Sequence, residues 1–145
     1  MSTLVPVLFG TAGLVEGETF LLPDGAEVVI GRSRSCPVSF RRLANYLRAN
    51  PAVRDNDHDF NTVSRRHLRL TIHEGVASIE DLSTNGSYFN GESIVQPLTI
   101  DLNRGPCALR LGTRETLELA LVSAEDPRLE GREPVRTISD ITEPD

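Results

Sequence analysis

The sequence predicts an all-β fold, a sandwich or barrel of short strands, on three observations. Apolar residues recur at every second position in one segment after another, the spacing that turns one face of a strand toward a core. Turn signals separate those segments at close intervals: PDG at 23–25, NG at 85–86 and 90–91, and NRGP at 103–106. Aromatics are 5% of the 145 residues and Trp is absent, so the core must rest on Leu, Val and Ile.

Along the chain, the apolar run LVPVLFGTAGLV comes first, broken by Pro6, Gly10 and Gly13. It lacks a basic leader and is too short to span a bilayer, so it reads as a first strand near 5–9 and its turn. Strands follow at 19–22 and 27–30. Phe40, Leu43, Ala44 and Leu47 then recur at helical spacing, with Ser39 as N-cap and Asn50-Pro51 as the stop. This predicts one inserted helix of about three turns. The polar stretch RDNDHDFN at 54–61 reads as an irregular loop; its three aspartates and His58 match no calcium-loop spacing, and no metal is expected.

Strand alternation resumes in Leu68, Leu70 and Ile72, continues at 76–80 and 87–89, then returns in Leu98, Ile100 and Leu102. Cys107, Leu109 and Leu111 form the next set, and Leu117, Leu119 and Leu121 the last. From Asp126 the periodicity ends in a Pro-, Gly- and charge-rich stretch, expected to be a flexible acidic tail or linker. The predicted domain is therefore 1–124, with an insertion at about 40–61 and a tail at 125–145.

Net charge is −6, which argues against a general nucleic-acid binder. The positive charge is concentrated: nine arginines and three aspartates lie within 31–69. Cys36 and Cys107 have no metal-ligand spacing and are too few for a disulfide framework. They are expected to be buried thiols of a cytoplasmic protein.

The segment VSRRHL at 63–68 carries the chemical question, because Ser64, His67 and Asp81 occur in an order a hydrolase could use. On a strand, however, Ser64 and His67 point to opposite faces, and the sharp GxSxG turn of a nucleophilic serine is missing. A phosphate socket accounts for more residues. It requires guanidinium forks, hydroxyls and backbone N–H groups converging from loops. IGRSRS at 30–35, VSRRH at 63–67 and STNG at 83–86 each supply such groups at strand ends.

Gly31-Arg32, Ser64-Arg65-Arg66-His67 and Ser83-Thr84-Asn85-Gly86 with Asn90-Gly91 resemble, in that order, the signatures of the forkhead-associated (FHA) domain. The resemblance spans about 4–122. It implies an FHA-like β-sandwich of about eleven short strands whose apical loops bind phosphothreonine peptides, without catalysis and without a cofactor. Carried over by position, Arg32 and Ser64 would contact the phosphate, and Arg65 would add a guanidinium or backbone contact. Thr84 would shape the pocket for the ligand threonine's methyl group, and Asn85 would bond the ligand backbone. Gly31, His67, Gly86 and Asn90 would support the site, and Arg66 stands at the variable position of its motif. The implied partner is a threonine-phosphorylated protein or peptide in Ser/Thr kinase signalling, with no role for nucleic acid or membrane. The alternative is an FHA-like scaffold that no longer needs phosphate.

The insertion departs from the family pattern. Arg41, Arg42 and Arg48 on it are either a second basic patch for an acidic stretch of ligand or the solvated face of a capping helix. In the tail, Thr137 and Thr142 are the threonines with Asp three residues later. If phosphorylated, they would be candidate ligands of the domain itself; the plainer reading is a linker.

Overall fold

The alternation in the sequence becomes eleven strands in two sheets. The structure, a computed structural model, describes residues 3–136. One sheet has six strands in the order β2-β1-β11-β10-β7-β8, and the other five in the order β4-β3-β5-β6-β9. The first sheet comprises β1 (Leu4–Ala12), β2 (Thr19–Leu21), β7 (Ser87–Phe89), β8 (Glu92–Ser93), β10 (Cys107–Leu111) and β11 (Glu115–Ser123). The second comprises β3 (Glu27–Gly31), β4 (Val38–Ser39), β5 (Leu68–His73), β6 (Val76–Asp81) and β9 (Leu98–Asp101). Every pairing is antiparallel except that of β3 with β4. The expected all-β sandwich is present.

Its interior is filled by the residues the alternation singled out: Leu68, Leu70 and Ile72 from one sheet, with Leu109, Leu111, Leu117 and Leu119 from the other. Cys36 and Cys107 are buried and not disulfide-bonded, and burial raises the Cys107 thiol pKa to about 11. No helix among the described residues is long and apolar enough to cross a membrane.

Two expectations are corrected. The single inserted helix is a 3₁₀ turn (Phe40–Arg42) followed by three short helices: α1 (Ala44–Arg48), α2 (Pro51–Asp55) and α3 (His58–Asn61). Leu43 has extended backbone (ψ 140°), so the chain turns there. This buries Phe40 and Leu43 in the sandwich and leaves Leu47 62% exposed. Tyr46, not Leu47, packs on Phe60, with ring centroids 5.1 Å apart. Asn50-Pro51 starts a helix instead of stopping one. The Asn50 side chain accepts from Ala52 N–H and Pro51 occupies the first turn, where its fixed φ and missing donor cause no loss. Within the expected loop, Asp57 accepts the Phe60 N–H at 3.0 Å and initiates α3.

The second correction concerns 125–136, expected as the start of a flexible linker. A 3₁₀ turn at Pro127–Leu129 buries Leu129 against Val7, Phe9 and Ala120 on the outer face of the first sheet. Arg128 lies 4.1 Å from the centroid of the Phe9 ring, and Val135 N–H donates to Leu21 O at 2.8 Å. A strand with apolar residues on both faces needs a cover on both, and this segment supplies the outer one. Thr137 and Thr142 lie outside the described residues.

Candidate functional site

The β3 and β5 ladder continues past the strand ends. Arg32 N–H donates to Ser64 O and Ser33 N–H to Arg65 O, each at 3.0 Å, so the loops carrying GR and SRRH are zipped together. Gly31 makes this approach possible: a Cβ there would stand 2.1 Å from Arg65 O. Cys36 adds a thiol hydrogen bond to the same carbonyl at 3.1 Å.

His67 joins this pair of loops to the third. Its ring is fully buried; Nδ1 accepts the Ser64 N–H at 2.9 Å. Nε2 therefore carries the proton of the neutral ring and donates to Gly86 O at 2.8 Å. Burial holds the imidazole pKa below its ordinary value. Neither ring nitrogen is available to Ser64 Oγ, so the Ser–His pair is not built as nucleophile and base. Ser64 Oγ instead accepts the Thr84 N–H at 3.0 Å, which leaves its own proton to donate.

The 83–86 turn is organised by Asp81, which the sequence offered as the third member of a hydrolase-like order. One carboxylate oxygen accepts from Ser83 N–H (3.1 Å), Ser83 Oγ (2.6 Å) and Ser87 Oγ (2.7 Å). Gly86 N–H closes the turn onto Ser83 Oγ at 2.8 Å, with φ at 98°, a region open to glycine. The D-x-S spacing of an Asx turn was the available signal. Asn90 ties the next turn to β10: its N–H donates to Ala108 O and its Oδ1 accepts Ala108 N–H, both at 2.8 Å.

Arg32, Ser64, Arg65, Arg66, Leu82 and Thr84 together line an open depression of about 430 Å³. No carboxylate is among them. Arg32 Nε donates to Val63 O, which aims the guanidinium. Burial, then the like charges of Arg41 and Arg65, push its pKa below the ordinary arginine value, yet a guanidinium stays protonated in a protein. The result is cation crowding without an internal counter-ion among the described residues, which suits an external anion. Asn85 is not on that lining; it follows Thr84 in the chain, its Nδ2 donating to Thr62 O at 3.2 Å. Arg66, at the variable position of its motif, is also on the lining.

The basic patch is divided. Arg41 is electrostatically coupled to Arg32. Arg42 donates to three backbone carbonyls, those of Arg34, Cys36 and Pro37, so it braces its loop. Arg48 bonds Asn45 on the exposed face of α1.

A two-sheet sandwich whose loops at one end meet around a cationic hollow is the architecture that the FHA resemblance implies. The FHA domain family model matches residues 28–106, more than half of the chain, and the protein belongs to that family. Among solved structures, the FHA domain of the CT664 protein from Chlamydia trachomatis is 23% identical with a TM-score of 0.58, covering 80% of this chain and 96% of its own. The FhaA FHA domain, solved in complex with the intracellular domain of Rv3910, is 27% identical (TM-score 0.52; 78% and 98% covered). The yeast Dun1 FHA domain, in complex with a doubly phosphorylated peptide, is 16% identical (TM-score 0.58; 92% and 85% covered). Comparison with curated proteins finds no significant match.

Proposed function

We propose that this protein is a phosphothreonine-dependent protein–protein interaction module in Ser/Thr kinase signalling. The observation that carries the reading is the hollow where Arg32, Ser64, Arg65 and Arg66 converge with no acidic residue in the lining. A phosphate monoester brings about −1.5 to −2 charge and three acceptor oxygens, matched to guanidinium forks and to the Ser64 hydroxyl proton. Charge-assisted hydrogen bonds contribute about 1.5–3 kcal/mol each. A few of them reach micromolar affinity, about −8.2 kcal/mol.

Asn85 bonds the ligand backbone and fixes register, while Thr84 lies at the lip for the threonine methyl. Arg41 and Arg48, on the near and far parts of the insertion, favour acidic residues flanking the phosphothreonine. The partner is a threonine-phosphorylated protein, a Ser/Thr kinase or the chain's own tail at Thr137 or Thr142 among them. The setting is cytoplasmic, consistent with two buried thiols. The site holds the phosphate without transforming it and needs no cofactor. Family membership supports the reading, as do FHA neighbours solved with phosphopeptides.

Calorimetry with the best binder from a degenerate phosphothreonine library, against the same peptide unphosphorylated, tests it. We expect micromolar binding of the first and at least about a 30-fold loss for the second, the equivalent of about 2 kcal/mol. Equal affinities would favour a scaffold that does not read phosphate.

A further inference from the structure

We propose that Arg114 is a positioning residue for ligand recognition, acting through Asp57 on the carbonyls that aim Arg32 and Asn85; this rests on the phosphothreonine reading above. Those carbonyls belong to Val63, which receives Arg32 Nε, and to Thr62, which receives Asn85 Nδ2 at 3.2 Å. They are consecutive and follow directly on α3. The placement of two ligand-reading side chains therefore depends on where α3 ends.

The insertion has little of its own to hold that end. Its helices have four or five residues each, far below the length at which a helix is stable alone. Core burial of Phe60 and Val63 fixes it from the inside, and the β10–β11 turn supplies the polar hold. Arg114 is a fork between two carboxylates, reaching Asp57 Oδ2 at 2.9 Å and Glu115 Oε2 at 2.8 Å. Glu115 is fully buried and its other oxygen accepts the Val15 N–H at 3.0 Å, so this anchor belongs to the sandwich. Asp57 belongs to the insertion and caps α3 through Phe60 N–H.

Burial alone would raise the Asp57 pKa, but the Arg114 and Phe60 hydrogen bonds hold it below the ordinary carboxylate value. Thr113, next to Arg114, completes the clasp: its Oγ1 donates to Asp59 Oδ1 at 2.7 Å and its N–H to Thr62 Oγ1 at 3.0 Å. Planar guanidinium geometry suits a two-carboxylate bridge that a lysine point charge does not reproduce.

The test uses R114Q, with D57N as the milder removal of the same contact should R114Q fold poorly. Two readouts are taken well below the melting temperature: the Kd for the best phosphothreonine library peptide, and the ¹⁵N–¹H resonances of Arg32 Nε and Asn85 Nδ2 in the free protein. We expect a five- to tenfold rise in Kd, displaced Arg32 and Asn85 resonances, and a double variant no worse than R114Q alone, since both changes cut one path. R128Q, which cuts the exposed pair with Asp126, controls for a charge lost elsewhere and should move neither readout. A lowered Tm with Kd within twofold of wild type and unmoved resonances overturns the proposal and leaves Arg114 a structural tie. If the wild type does not distinguish phosphorylated peptide while the resonances do move, the positioning stands and the phosphothreonine reading falls.

Discussion

Arg32→Ala is expected to raise the Kd for a phosphothreonine peptide by about 30-fold or more while the sandwich stays folded. Truncating one partner of a buried, hydrogen-bonded charge pair costs about 2–5 kcal/mol, and Arg32 is the partly buried cation of the hollow, aimed by the Val63 carbonyl. The effect on stability is expected to be small. Burial and the like charges of Arg41 and Arg65 oppose the charged guanidinium, which offsets part of what the loss of its hydrogen bond to Val63 O costs. The variant should melt no more than about 4 °C below the wild type, since a change of about 0.5 kcal/mol moves Tm by about 1–4 °C at about 2–8 °C per kcal/mol. Calorimetry and thermal melts on the same two proteins decide it. Affinity within threefold of wild type would remove Arg32 from the site; lost affinity with a collapsed Tm would make it a structural residue.

The contest between local pattern and packing explains what the sequence disclosed and what it hid. Leu68, Leu70 and Ile72, or Cys107, Leu109 and Leu111, were legible because a sandwich core demands period two wherever one face is buried. β4 and β8, two residues each, are too short to show any period. The insertion misled because Phe40, Leu43 and Leu47 have helical spacing, whereas the buried set is Phe40, Leu43 and Phe60, brought together by a turn at Leu43. Tertiary packing overrode the local pattern there.

In the candidate site, the lining side chains lie in short recognisable runs, and Arg32, Ser64, Arg65 and Thr84 share one hollow. Their supports do not advertise themselves. The Val63 and Thr62 carbonyls could belong to any residue type, and Arg114 meets Asp57 across 57 positions, a distance no local pattern spans.

His67→Ala is expected to be the most damaging single change for the fold around the site, lowering unfolding stability by about 2–5 kcal/mol. It orphans two backbone groups at once, the Ser64 N–H and the Gly86 carbonyl, at about 1–3 kcal/mol each, and it empties a fully buried position. It also removes one tie between the SRRH and 83–86 loops, leaving the Ser64–Thr84 and Asn85–Thr62 bonds, so phosphopeptide binding should weaken along with stability. The same geometry predicts a pH dependence. The native ring is held neutral with its pKa lowered by burial, whereas the unfolded imidazole titrates near about 6.5. Below that value the unfolded chain takes up a proton the native protein refuses, so stability is fully present above about pH 6.5 and falls as pH decreases through the window beneath it.

The Asp57 carboxylate contributes a loss of the same sign, but only below about pH 4, where an unfolded aspartate protonates. The two steps are therefore separable in denaturant melts taken between pH 7.5 and 3. In His67→Ala the upper step should vanish and the lower one remain. An upper step that persists in the variant would assign it to another group, and the picture of His67 as the buried neutral bridge between the loops would fail with it.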